Sequence, residues 1–238
     1  MSMSALSDEL AQVRTKKKEF LAQIERIVPW KEWLVLIQPC YYKGERGNKP
    51  YPLETRPRLY LLQNLYDLSD EATAAEAIDS RAFSDFCGVD SSNQVPDGDT
   101  IGRFRNLLVK NGLQEKLFAQ VVAALMKRGM ILKKGTIVDS TIISAPSSTK
   151  NKEKKRDPDA HQVRKGNIWH FGYKAHIGAD KDSGLVHTIA VTAANVHDVS
   201  QTASLLTGEE ESVYGDSGYL GAEKREDAII TNHSGKHI

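Results

Sequence analysis

Apolar residues recur at helical spacing through the first half of the chain and give way to short β-rich runs after Gly135. Leu6, Leu10, Val13, Leu21, Ile24 and Val28 form one apolar stripe that Pro29 closes, and Lys31–Ile37 continues as a second helix. A Gly-, Pro- and Tyr-rich loop covers Pro39 to Glu54. Thr55 then caps a helix through Leu59, Leu62, Leu65 and Tyr66, with Pro57 tolerated in its first turn. Ser69 starts the next, and Ser80 caps a short one through Phe83 and Phe86 that Gly88 ends. Asp99 caps a helix carrying Ile101, Phe104, Leu107 and Leu108, stopped by Asn111-Gly112, and Leu113 to Met126 makes one more. Strands follow at Thr136–Ile143, Tyr173–Gly178, Leu185–Thr192 and Ser212–Tyr214, with helices over Val199–Leu206 and Ala222–Thr231. Three strands, a helix and a strand predict a mixed sheet whose crossover lays the fourth strand beside the first.

Ser147 to Asn167 has no apolar period and is dense in Lys, Ser and Asp, which predicts a mobile insertion between the first two strands. A helical domain over residues 1–132 and a sheet domain over 133–238 result, each large enough to bury a core. Cys40 and Cys87 share no close-spaced motif, so free thiols in the cytoplasm are expected. The longest apolar runs, such as Leu34 to Ile37, are too short for a bilayer, and no membrane role is expected. A net charge of +1 leaves a nucleic-acid partner to be argued from local clusters. Arg103 and Arg105 share the polar side of one helix, while Lys150, Lys152, Lys154, Lys155 and Arg156 crowd the insertion; a solvated face is the plain alternative for each.

Thr136-Ile137-Val138-Asp139-Ser140-Thr141 sets a carboxylate inside a strongly β-forming run, where Asp is ill suited unless a cation or solvent compensates it. Val213-Tyr214-Gly215-Asp216-Ser217-Gly218 repeats the arrangement at a turn. If the two strands are neighbours, Asp139 and Asp216 converge, and such an oxygen-rich pair suits magnesium or manganese better than zinc. A salt bridge for Asp139 and an Asp-Ser-Gly turn for Asp216 are the structural alternatives.

The second half resembles the DDE transposases of bacterial insertion sequences, particularly the insertion-sequence-five group. The resemblance rests on Ile137–Thr141, Trp169–Gly178, Asn195-Val196-His197-Asp198 and Tyr214–Tyr219; in the first half it rests on Leu68–Gly88 and Pro96–Leu108. It implies an α/β ribonuclease-H-like mixed sheet with flanking helices, preceded by an all-α DNA-binding domain, with Asp139 and Asp216 as the first two acidic metal ligands. It implies DNA transposition by metal-dependent strand cleavage and joining, with terminal inverted repeats and target DNA as partners of a chain able to self-associate. Lys174 is expected at DNA phosphate or at the active site. His170 and His176 have the same option, with a satisfied strand or loop histidine as the plainer reading. The family places a third acid, a Glu, on a helix well beyond Asp216, and Glu223 and Glu226 are poor substitutes, so the sequence is expected to be an incomplete copy, inactive alone. Two alternatives are an end-binding competitor of a complete transposase and another metal-dependent nuclease.

Overall fold

The computed structural model describes residues 13–41, 50–150 and 154–225. Its contacts divide the chain into two compact units, Met1–Ala124 and Leu125–Ile238. Leu6, Leu10, Lys152, Glu226 and most of the expected helix after Ala222 lie outside the described residues, as does the side chain of Glu223. Among the described residues no helix is long and apolar enough to cross a membrane.

The first unit is helical: α1 (Lys16–Ile27), α2 (Trp30–Ile37), α3 (Thr55–Leu65), α4 (Asp70–Asp79), α5 (Arg81–Cys87), α6 (Gly98–Lys110) and α7 (Leu113–Lys127), the last running across the unit boundary. The Oγ of Ser69 accepts from Ala72 N–H and caps α4, while Gly88 ends α5 with φ +67°, as its lack of a Cβ permits. Two expected caps differ. Thr55 lies inside α3 and is buried, and α6 is capped by Asp97, which accepts from Thr100 N–H at 2.7 Å, two residues before the Asp99 expected from sequence. Either Asp could cap; the helix extends back to Gly98, where a side chain would collide with the Glu71 carboxylate. The apolar stripes meet in two clusters, one around Leu21, Leu62, Phe83 and Ile101, the other around Trp33, Ile37, Phe104 and Leu117.

The second unit is a five-stranded mixed sheet of β1 (Gly135–Ser144), β2 (His161–Lys165), β3 (Ile168–Asp180), β4 (Val186–Ala193) and β5 (Ser212–Tyr214). β3 is antiparallel to β1, β2 and β4, and β5 lies parallel to β1. The expected neighbour relation between the first strand and that leading to Asp216 is present. β2 is not an expected strand: part of the stretch read as a mobile insertion pairs with the first residues of β3 from Lys165↔Ile168 to His161↔Gly172. The expected helix over Val199–Leu206 is a 3-10 turn, Asp198–Gln201, running into the single helical turn α8 (Thr202–Leu205).

Val138, Leu205 and Tyr219 form the core beneath one sheet face. Polar groups complete it. Fully buried Asp180 accepts from the backbone N–H groups of Leu132, Lys133 and Ser183 and from the Ser183 hydroxyl, locking the entry to β1 onto the β3–β4 turn. Burial pushes its carboxyl pKa up, but these donors outweigh burial and hold it below the ordinary carboxylate value.

Candidate active site

Strand pairing fixes the site. Thr136↔Val213 and Ile137↔Tyr214 run in parallel register, so Asp139 and Asp216 stand at the same level, two residues beyond the last paired position. Both line an open cleft of about 710 Å³ with Ile137, Tyr214, Lys181 and Asp182. Gly215 lets the chain leave β5 close to the core, since a Cβ there would stand 3.0 Å from both Val138 Cγ2 and Tyr219 Cβ. Asp216 then turns the chain, its Oδ1 accepting from Gly218 N–H at 2.9 Å, and Asp139 Oδ1 accepts from Ser140 N–H at 2.7 Å. Among the described residues no hydrogen bond reaches the Oδ2 atom of either Asp, so each carboxylate keeps an oxygen for a hard cation. Among the described residues there is, however, no group of three or more His, Cys, Asp or Glu side chains placed to hold one metal ion together.

Behind the Asp216 turn lies a polar cluster of Lys174, His176 and Asp198 whose mutual pairing the sequence did not reveal. Lys174 donates to Val196 O at 2.8 Å and to Asp198 Oδ1 at 2.9 Å, with only 11% of its side chain exposed. Its ammonium is thus committed to Val196 and Asp198, and through Asp198 it stands behind the Asp216 turn rather than among the cleft-lining residues. His176 is fully buried, with Nε2 2.8 Å from Thr192 Oγ1 and Nδ1 3.6 Å from Asp198 Oδ1. Burial lowers its pKa first; Asp198 opposes this and Lys174 adds to it, which favours neutral imidazole. Asp198 also reaches the Asp216 turn. A Cβ on Gly218 would stand 3.2 Å from Asp198 Oδ2 and 3.0 Å from Asp216 Oδ1, so both carboxylates lie beside one glycine. Tyr219, 1% exposed, packs under the same turn. Its phenol pKa is pushed up by burial and then by Asp198, Asp139 and Asp216.

The basic residues divide into two groups. Arg103 is exposed on α6, whereas Arg105 is held by Asp70 through two hydrogen bonds of 2.6 and 3.0 Å. Lys150, Lys154, Lys155 and Arg156 are exposed along the connection from β1 to β2, with Arg156 5.6 Å from the Phe171 ring centroid. His170 is half-buried on β3 opposite Val163. Lys181 and Asp182 are cleft residues that sequence reasoning missed, because only the turn fixed by Asp180 carries them beside β5.

Residues 8–107 match a family model described as a transposase domain (DUF772), and residues 131–234 match one described as a transposase DDE domain. No solved structure matches the chain.

Proposed function

From two matches that together support a DDE-type transposase and DNA transposition, we propose that Asp139 and Asp216 are acidic ligands for magnesium or manganese in a ribonuclease-H-like site that cleaves and joins DNA strands. The observation that carries this reading is the parallel β1–β5 register, which levels the two carboxylates at one cleft. Divalent metal would supply charge neutralisation at the phosphodiester and activation of the attacking oxygen. The chain's own part is to hold the two carboxylates on adjacent strand ends and to fix the Asp216 turn from below with Asp198 and Tyr219. DNA would be held by Arg103 and by Lys150, Lys154, Lys155 and Arg156, with terminal repeats and target DNA as partners and a second copy as the assembly partner. Arg105 and Lys174 stand in the ion pairs described above.

A third acidic ligand is required for full activity, since two carboxylates supply few anionic oxygens against strongly held metal hydration. A second reading is an end-binding protein that competes with a complete transposase; it needs only the exposed cations on α6 and along the connection from β1 to β2. Titration calorimetry with manganese separates the two. Weak binding that Asp139→Asn and Asp216→Asn each abolish, with the fold retained, supports the metal site; identical heats in wild type and variants leave the binding-only reading.

A further inference from the structure

The hairpin of β2 and β3 has no role in the site described, and its composition is unusual. From Ile168 to His170, the hydrogen-bond partner of β3 among the described residues is β2, because the Phe171 carbonyl already accepts from Ala145 N–H at 2.8 Å and pairing with β1 and β4 begins at Gly172 and Tyr173. The two strands therefore run on past the sheet as an arm about 10 Å long, at ~3.3 Å per residue. At its base Gly172 adopts φ +155°, and any Cβ there would collide with the Ile143 carbonyl oxygen. At its tip Arg164 closes the turn, with its Nε donating to Gly166 O at 3.1 Å and a terminal nitrogen donating to Asn167 Oδ1 at 3.2 Å. Beside that turn Ile168 and Trp169 are each 64% exposed.

Isolated two-stranded ribbons are marginal in water, and an arm kept only for stability would turn its large apolar side chains onto the sheet. This arm turns them outward. It is also basic: His161 to Trp169 carries Arg164 and Lys165 and no Asp or Glu, and Lys154, Lys155 and Arg156 lie on the connection that leads into β2. A narrow ribbon with cations on its strands and an aromatic at its tip fits the major groove of duplex DNA, which is wide enough for two β-strands.

We propose that the β2–β3 arm is a duplex-DNA clamp: Arg164 and Lys165 meet phosphates while Trp169, with Ile168, packs on base edges in the groove. Trp169 stands eight residues along β3 from Ile177, the partner of Asp139. That distance is about 26 Å, or roughly seven to eight base pairs, so the arm grips flanking duplex rather than the cleaved bond. The proposal rests on the DNA-transposition reading for the identity of its partner alone.

Of the three tryptophans, Trp33 is 4% exposed and Trp30 is half-buried, which makes Trp169 the exposed reporter. The test uses the full chain, acrylamide quenching of its fluorescence, and a mixed-sequence duplex oligonucleotide at low salt, with complex formation followed separately by gel shift. Saturation with duplex should protect the fluorescence from acrylamide, and Trp169→Phe should remove that protection while still binding DNA. Arg164→Glu combined with Lys165→Glu should weaken duplex affinity about tenfold and flatten its salt dependence. A saturated complex in which Trp169 stays as open to acrylamide as before overturns the clamp and leaves the transposase reading intact. Protection by the single strand alone also overturns it. No gel shift with any DNA overturns both.

Discussion

The helical unit and the sheet unit solve the burial problem differently. Among the described residues, the helical unit gathers eleven and eight buried residues into two clusters of large apolar side chains and aromatic pairs, such as Trp30 against Phe86. The sheet cluster has three members, and much of the remaining buried set is polar or small: Thr136, His176, Asp180, His187 and Thr202, with alanines between them. Dispersion and apolar burial therefore stabilise the first unit, while hydrogen-bond satisfaction organises the second. Asp139 shows what the sheet gains. Together with Ile137, Ile189, Val191 and Tyr214 it is exposed, so this carboxylate stands on a strand without a buried charge to compensate.

The largest expected effect removes apolar mass from the helical unit. Phe83 is 1% exposed, with its ring centroid 4.8 Å from that of Tyr66 and Lys17 Nζ 4.5 Å from its own centroid. Phe83→Ala should cost about 3–5 kcal/mol through lost burial and a residual cavity. Peptide-resolved hydrogen exchange should show faster opening of α3, α4 and α5 with β1 and β3 unchanged. Equal loosening in both units would contradict their separate stabilisation. Next in size is the polar counterpart. Asp180→Ala leaves the Leu132, Lys133 and Ser183 donors without their acceptor and should cost about 2–3 kcal/mol, with the exchange pattern reversed.

Legibility in the sequence followed the same division. Most helices were readable from an apolar stripe of period 3.6, and α4 from its alanine-rich composition; the differences lie at helix starts, where α1 begins at Lys16 behind its cap Thr15 and leaves Val13 outside, and where α3 and α6 take other caps than expected. Asp139 and Asp216 were readable as a pair because both interrupt β-forming runs and a right-handed crossover brings those runs together. β2 was not readable: His161-Gln162-Val163-Arg164-Lys165 has no alternation, since a ribbon with two open faces imposes none. The Lys174–Asp198 pair spans 24 residues, and its local traces, the Trp169–Gly178 and Asn195–Asp198 segments, say nothing of the two side chains meeting. Lys181 and Asp182 reach the cleft through a turn that Asp180 holds by tertiary hydrogen bonds, which no local pattern encodes.

A smaller effect should distinguish the units by pH. All seven histidines lie at or after residue 161. His176 and His187 have pKa values lowered chiefly by burial, with Asp198 and Lys174 facing the first and Glu210, Asp180 and Lys133 facing the second. Between each lowered value and the ordinary 6.5 the unfolded chain binds the extra proton. Stability is therefore fully present above that pH and declines as pH falls through it. Taking the protein from about pH 7.5 to about 5.5 should lower the melting temperature of the sheet unit alone, and His176→Gln with His187→Gln should flatten that slope. A parallel decline in the helical unit would place the titrating groups elsewhere.

The smallest expected stability change concerns two neighbouring arginines on α6, and it tests whether surface charge in the helical unit serves the fold or the nucleic acid. Arg105 meets Asp70 in a two-pronged contact that Gln63 also joins, its Nε2 donating to Asp70 Oδ1 at 2.6 Å. The Arg105 and Asp70 side chains remain 41% and 27% exposed, so water screens the pair and Arg105→Gln should cost no more than about 1 kcal/mol. The same substitution should leave DNA affinity nearly unchanged, because releasing Asp70 to free the guanidinium would forfeit what phosphate binding returns. Arg103 is exposed two residues earlier, with Asp97 as a weak neighbour. Arg103→Gln should leave the melting temperature where it was, lower duplex affinity a few-fold and reduce the salt slope by about one phosphate contact. Matched thermal melts and salt-dependent gel shifts on the two variants decide the matter. If Arg105→Gln lowers the salt slope as much as Arg103→Gln, the Asp70 pair opens on DNA and α6 presents both arginines to phosphate.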